Sequence, residues 1–96
     1  MFISNIYEDV PESVKEKIHN EATRLGYELG KIVRYSNHPS DYYLFLVLAK
    51  GGYKGGYVTW LYNDSTNALC EGHYDMTFKE ALSDLANRIV EVKIEN

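Results

Sequence analysis

A single cysteine, Cys70, stands among 96 residues, so the chain cannot close an internal disulfide, and that usage suits a reducing compartment. No apolar run approaches the roughly 20 residues that span a bilayer. Met1 to Glu8 lacks the basic start and long apolar core of a secretion signal. A cytoplasmic location and no membrane partner are the expectations. Positive charge is scarce as well: ten Lys and Arg against fourteen Asp and Glu give a net charge of −4, the reverse of the basic footprint that direct nucleic-acid binding leaves. No P-loop, no metal-ligand spacing and no nucleophile with a neighbouring base stands out, which argues for a protein that is not an enzyme and takes no cofactor.

What the chain does hold is enough for one domain, since splitting 96 residues into two cores would leave each half barely able to offset its chain entropy. Its 45% hydrophobic and 25% charged content is that of a globular protein. Nine tyrosines against three phenylalanines and one tryptophan make it rich in rings that accept both burial and water, a chemistry enriched at interfaces.

The stretch from Tyr42 to Tyr62 organises the rest. Tyr42 to Ala49 is continuously apolar, as in a central strand or one covered on both faces. Tyr57 to Tyr62 is a second strand, and a glycine-rich tip joins the two. Before this hairpin, Val14, Ile18, Ala22 and Leu25 recur at helical spacing over residues 10 to 25, with Asp9 and Glu12 as an acidic capping pair and Gly26 as the stop. Met1 to Tyr7 is apolar enough to pack against that helix. Tyr27 to Tyr35 alternates as a strand, and Ser36 to Asp41 is a turn.

After the hairpin, Asn63 to Asn67 turns the chain into a fourth strand, Ala68 to Tyr74, whose more apolar set of Ala68, Cys70, Gly72 and Tyr74 is expected to face inward. Thr77 and Glu80 form a capping box for a helix over 77 to 91, with a stripe of Phe78, Ala81, Leu82, Leu85 and Ile89 and an Asp84–Arg88 pair on its outer side. The predicted fold class is α+β, a four-stranded antiparallel meander in the order α-β-β-β-β-α with two helices on one face.

Among chemistry-bearing groups, the segment from Lys50 to Tyr57 is the leading contact surface. It repeats Gly-Gly-Tyr and presents Lys50, Tyr53, Lys54 and Tyr57 for binding a partner. It precedes a strand instead of a helix, so no helix N-terminus completes a phosphate site. The plainer role is a turn whose glycines serve geometry. Cys70 and His73, three apart on a strand, point to opposite faces and cannot share an ion; a buried structural thiol is expected for Cys70. Glu71, His73 and Asp75 share strand parity, so a carboxylate beside the imidazole is available for acid–base chemistry, although such a row more often marks a wet face. Glu12, Glu16 and Glu21 form an acidic patch on the first helix, blunted by Lys15, Lys17 and Arg24.

Thr59-Trp60-Leu61-Tyr62-Asn63, Gly72-His73-Tyr74 and Phe78-Lys79-Glu80-Ala81-Leu82-Ser83-Asp84-Leu85 together resemble small, largely uncharacterised proteins carried by phages and prophages of Gram-positive bacteria. The resemblance spans residues 57 to 91. It implies a mobile-element accessory protein that binds a host protein, a class that includes inhibitors of host defence such as anti-CRISPR proteins. The alternative is a small-molecule or nucleotide binder using the sheet and the glycine-rich loop. An exposed edge, Tyr27 to Tyr35 or Ala68 to Tyr74, would also allow a homodimer.

Overall fold

The computed structural model describes residues 10–51 and 55–90. Within them the chain runs as α1 (Glu12–Arg24), β1 (Tyr27–Arg34), β2 (Leu44–Gly51), β3 (Tyr57–Asn63), β4 (Ala68–Met76) and α2 (Phe78–Arg88). The four strands form one antiparallel sheet in the order β1-β2-β3-β4, the meander expected from the alternation of turns and apolar runs.

α1 buries the predicted stripe, Val14, Ile18 and Ala22. Its start differs from the expected acidic cap: Pro11 is the N-cap residue, with no side-chain cap bond, and Asp9 lies outside the described residues. Proline is tolerated there because its missing N–H has no partner to lose in the first turn. Gly26, at φ +88°, ends the helix in the left-handed region, and its amide donates to Thr23 O at 3.0 Å. α2 carries the full capping box, Thr77 N donating to Glu80 Oε1 at 2.8 Å and Glu80 N to Thr77 Oγ1 at 3.1 Å. It stops at Arg88, after which Val90 N donates to Tyr35 O at 2.7 Å and ties the end of the helix to the end of β1. The expected packing of Met1 to Tyr7 lies outside the described residues.

One element of the expected architecture is corrected. The helices lie on opposite faces of the sheet, not on one. Phe45, Val47 and Ala49 of β2 pack with α1, and Leu46 and Leu48 pack with Ala81 and Leu85 of α2. The reason is in β2 itself, where Phe45 to Ala49 are all buried. Strand residues alternate between faces, so stacking both helices on one side would leave Leu46 and Leu48 in water at a cost of about 1.5–3 kcal/mol each.

β4 departs further from expectation. Its pairing with β3 slips twice: Leu61 faces Cys70, Thr59 faces His73 and Tyr57 faces Met76, so Glu71 with Gly72, and Tyr74 with Asp75, are two-residue bulges against single residues of β3. Glu71 and Asp75 sit at φ 49° and 62° in the left-handed region. The simple inward set of Ala68, Cys70, Gly72 and Tyr74 is therefore lost, and both Cys70 and Tyr74 are exposed. β1 slips at Gly30, where a Cβ would stand 3.0 Å from Leu48 O. Such bulges twist the outer strands of a sheet, one of the devices by which sheet edges avoid pairing with another chain.

Candidate functional site

Of the four residues expected to contact a partner, Lys50 and Tyr57 are placed side by side, as Cα partners on the last rung of the β2–β3 hairpin. Tyr53 and Lys54 lie outside the described residues. Lys50 stands directly across from Glu28 on β1, yet its ammonium lies over the Tyr57 ring, 5.7 Å from the centroid. Tyr57 in turn meets Phe78, with ring centroids 5.2 Å apart. Together with Glu28, Gly30 and Leu48 these side chains line an open groove of about 310 Å³ beside the start of α2. Phe78 is the residue that sequence reasoning misplaced. Its position on the apolar stripe predicts burial, but it is 48% exposed because α2 begins at the margin of the sheet.

Part of the glycine content of the tip is structural. Gly51 has φ +136°, and a Cβ there would come within 2.8 Å of Gly26 O, so only glycine lets the hairpin pass the end of α1. Its amide donates to Gly56 O at 3.0 Å and closes the base of the tip.

A second constellation joins β3, β4 and α2. Thr59 is fully buried, and its hydroxyl donates to Asp84 Oδ2. Asp84 also receives His73 Nδ1, at 2.9 and 3.1 Å from its two oxygens. Arg88 Nη1 donates to Thr59 Oγ1 at 3.0 Å and to Thr59 O at 3.3 Å. Burial raises the Asp84 carboxyl, but the hydrogen bonds from Thr59 and His73 and the charges of His73 and Arg88 outweigh it and hold the group below its ordinary value. The partner of His73 is thus Asp84, twenty-five residues from Thr59 in sequence, and neither Glu71 nor Asp75, because the bulges break the parity that would align those three on β4. Asp84 and Arg88 converge on Thr59 instead of forming the expected surface pair. Chemically the group is a tether: one carboxylate and one guanidinium bind a buried threonine and hold α2 on the sheet.

The bulge also reverses the expected relation of Cys70 and His73. Their partners Leu61 and Thr59 are two apart on β3, so both lie on one side of the sheet. Cys70 is exposed, its thiol donating to Leu61 O at 3.3 Å, and is not a buried thiol. Among the described residues no group of three or more His, Cys, Asp and Glu gathers to hold a metal ion. On α1 the acidic patch is locally balanced: Glu12 pairs with Lys15 at 3.4 Å, Glu21 with Arg24 at 2.9 Å, and Lys17 reaches Asp64 at 2.7 Å.

On the α1 face, Trp60 is almost completely buried and its Nε1 donates to Tyr74 Oη at 3.0 Å. Tyr62 is fully buried, and its hydroxyl donates to Asn67 Oδ1. Burial first, then the charge and hydrogen bond of Asp64 and the charge of Glu21, push Tyr62 up to about 12. These two bonds anchor the aromatic end of the core to β4 and to the turn before it. No protein-family model matches the chain, and comparison with curated proteins and with solved structures found no match.

Proposed function

We propose that the chain is a non-enzymatic binding module of phage or mobile-element origin that acts in the bacterial cytoplasm on a host protein, as an inhibitor of host defence of the anti-CRISPR kind would. The observation that carries the binding role is the groove where Lys50, Tyr57 and Phe78 stack beside the glycine-rich tip. Rings and a cation held together at a partly exposed position are the composition of an interface anchor. Lys50 forms no ion pair with a described residue even though Glu28 stands opposite, which leaves its charge for a partner's carboxylate.

Capture of a stoichiometric partner on the immobilised protein, followed by affinity measurement with that purified partner, tests this reading. Lys50→Glu and Phe78→Ser are each expected to weaken binding about tenfold, or ~1.4 kcal/mol, while His19→Ala on the exposed side of α1 leaves it unchanged. No partner at all, or a partner indifferent to both substitutions, overturns it. A volume near 310 Å³ also falls at the small end of ligand sites, about 300–1,000 Å³, and favours a small molecule or nucleotide as the second reading. A thermal shift with one such compound, abolished by Phe78→Ser, would select that reading over the first.

A further inference from the structure

Among the described residues β1 pairs with β2 alone, so its outer side is an edge of the sheet. Val90 joins only beyond the strand, at Ser36. The other edge, β4, is bulged twice, whereas β1 slips once, at Gly30, and then keeps an unbroken register with β2 from Lys31 to Arg34. The direction of its backbone groups follows from one bond. Tyr35 N donates inward to Leu44 O at 3.2 Å, and an antiparallel ladder repeats every second residue, so Val33 also faces β2 while the N–H and C=O of Ile32 face outward. Neither of those two groups has a partner among the described residues.

Two grooves flank this edge, one on each face of the sheet. On the α1 side Leu29, Ile32 and Lys15 line a groove of about 330 Å³, and on the α2 side lies the groove beside Lys50, Tyr57 and Phe78. Leu29, Gly30 and Lys31 border both, so the grooves meet across the strand where glycine leaves it bare. A chain added beside β1 sends alternate side chains to opposite faces, and therefore toward opposite grooves.

The two grooves differ in chemistry. Leu29, Ile32 and the stem of Lys15 suit aliphatic side chains. On the other face the Lys50 ammonium lies over the Tyr57 ring, a contact that leaves its N–H donors able to take a carboxylate. The β1 strand of a second copy fits less well. Its Lys31 pairs with Leu48 and shares the α2 face, which would bring like charge to the Lys50 side.

We propose that the outer edge of β1 takes up an extended segment of the protein partner as an added strand, with acidic side chains directed to Lys50 and the alternating aliphatic ones over Leu29 and Ile32. The inference rests on the reading of the Lys50–Tyr57–Phe78 groove as a binding surface and names what enters it. Main-chain bonds to Ile32 supply the hold, and the two grooves supply the selection.

A short acetylated and amidated peptide that alternates glutamate and valine, added to the intact protein, tests this by calorimetry and residue-resolved amide exchange. Saturable binding is expected, with exchange at the Ile32 amide slowed about tenfold at saturation and that at Val33, already bonded to β2, unchanged. N-methylation of one alternate set of peptide amides should weaken binding about tenfold by removing the donors that face β1, while methylation of the other set stays within about twofold. Lys50→Glu should weaken the peptide about fivefold. No saturable binding, equal losses from the two methylated sets, or a concentration-dependent dimer that the peptide dissociates would each overturn the proposal. Loss of the captured partner in Phe78→Ser without protection of the Ile32 amide would overturn the added strand alone and leave the groove reading standing.

Discussion

Among the described residues, the sheet under α1 buries Val14, Ile18 and Ala22 of the helix against Phe45, Val47, Ala49, Val58, Trp60 and Tyr62, whereas under α2 it buries Ala81 and Leu85 against Val33, Leu46 and Leu48. The larger face is held mainly by apolar area and large rings. The smaller face adds a directional polar tether, Asp84 and Arg88 on the buried hydroxyl of Thr59, with His73 joining from β4. Where apolar area is short, the position of a helix is set by a few hydrogen bonds, and those respond to pH as area does not. The same thin coverage leaves Tyr57 and Phe78 partly open beside a groove floored by Leu48. Surface available for binding lies where the helix stops.

The largest effect expected from this comparison is on the α1 face. Phe45→Ala, at a ring only 1% exposed and packed on α1, should cost about 3–5 kcal/mol in denaturant unfolding. Leu85→Ala, near the margin of the smaller core, should fall toward the lower end of about 2–5 kcal/mol. Equal losses would break the contrast between the faces.

Asp84→Asn sharpens the contrast by chemistry. It removes the charged acceptor shared by Thr59 and His73 beside Arg88, and a loss of about 1–3 kcal/mol at neutral pH is expected. The Asp84 carboxyl is held below its ordinary value of 3.8, so its contribution is fully present above that value and is lost as pH falls through it toward the lowered one. Unfolding of the parent and the variant, compared from about pH 6 to about pH 2, should show the difference shrinking with acid. The penalty of Phe45→Ala should show no such trend, and an acid-independent Asp84→Asn penalty would sink the tether as an electrostatic device.

The smallest effect is local to α2. Thr77→Ala removes one half of the capping box and should cost about 1 kcal/mol. Because α2 has the smaller core, that loss should also loosen the helix start and shift the environment of Phe78, seen as faster amide exchange in residues 78–81. Exchange unchanged by Thr77→Ala would show that the Tyr57–Phe78 contact alone secures the helix start.

Much of the architecture was legible. The spacing of Val14, Ile18 and Ala22, the glycine stop at Gly26 and the Thr77–Glu80 box each act through residues within four positions of one another, so the sequence displays them directly. The unbroken run of Phe45 to Ala49 already carried the sign that both faces of β2 are covered, and placing both helices on one face conflicted with it. The candidate site was half legible. Lys50 and Tyr57 follow from hairpin register, whereas Phe78 joins them only because α2 starts at the margin of the sheet.

The sequence by itself determined the order of the elements, where α2 is capped, where α1 ends and which strand is central, because periodicity, caps and turns are short-range properties of the chain. The tertiary structure alone decided which face each helix covers, where β4 bulges, that His73 meets Asp84 and not Glu71, and that Tyr74 lies across Gly72 toward Trp60. Those depend on strand register and on contacts between residues far apart in sequence, and a slip of one residue in a strand sends every following side chain to the other face.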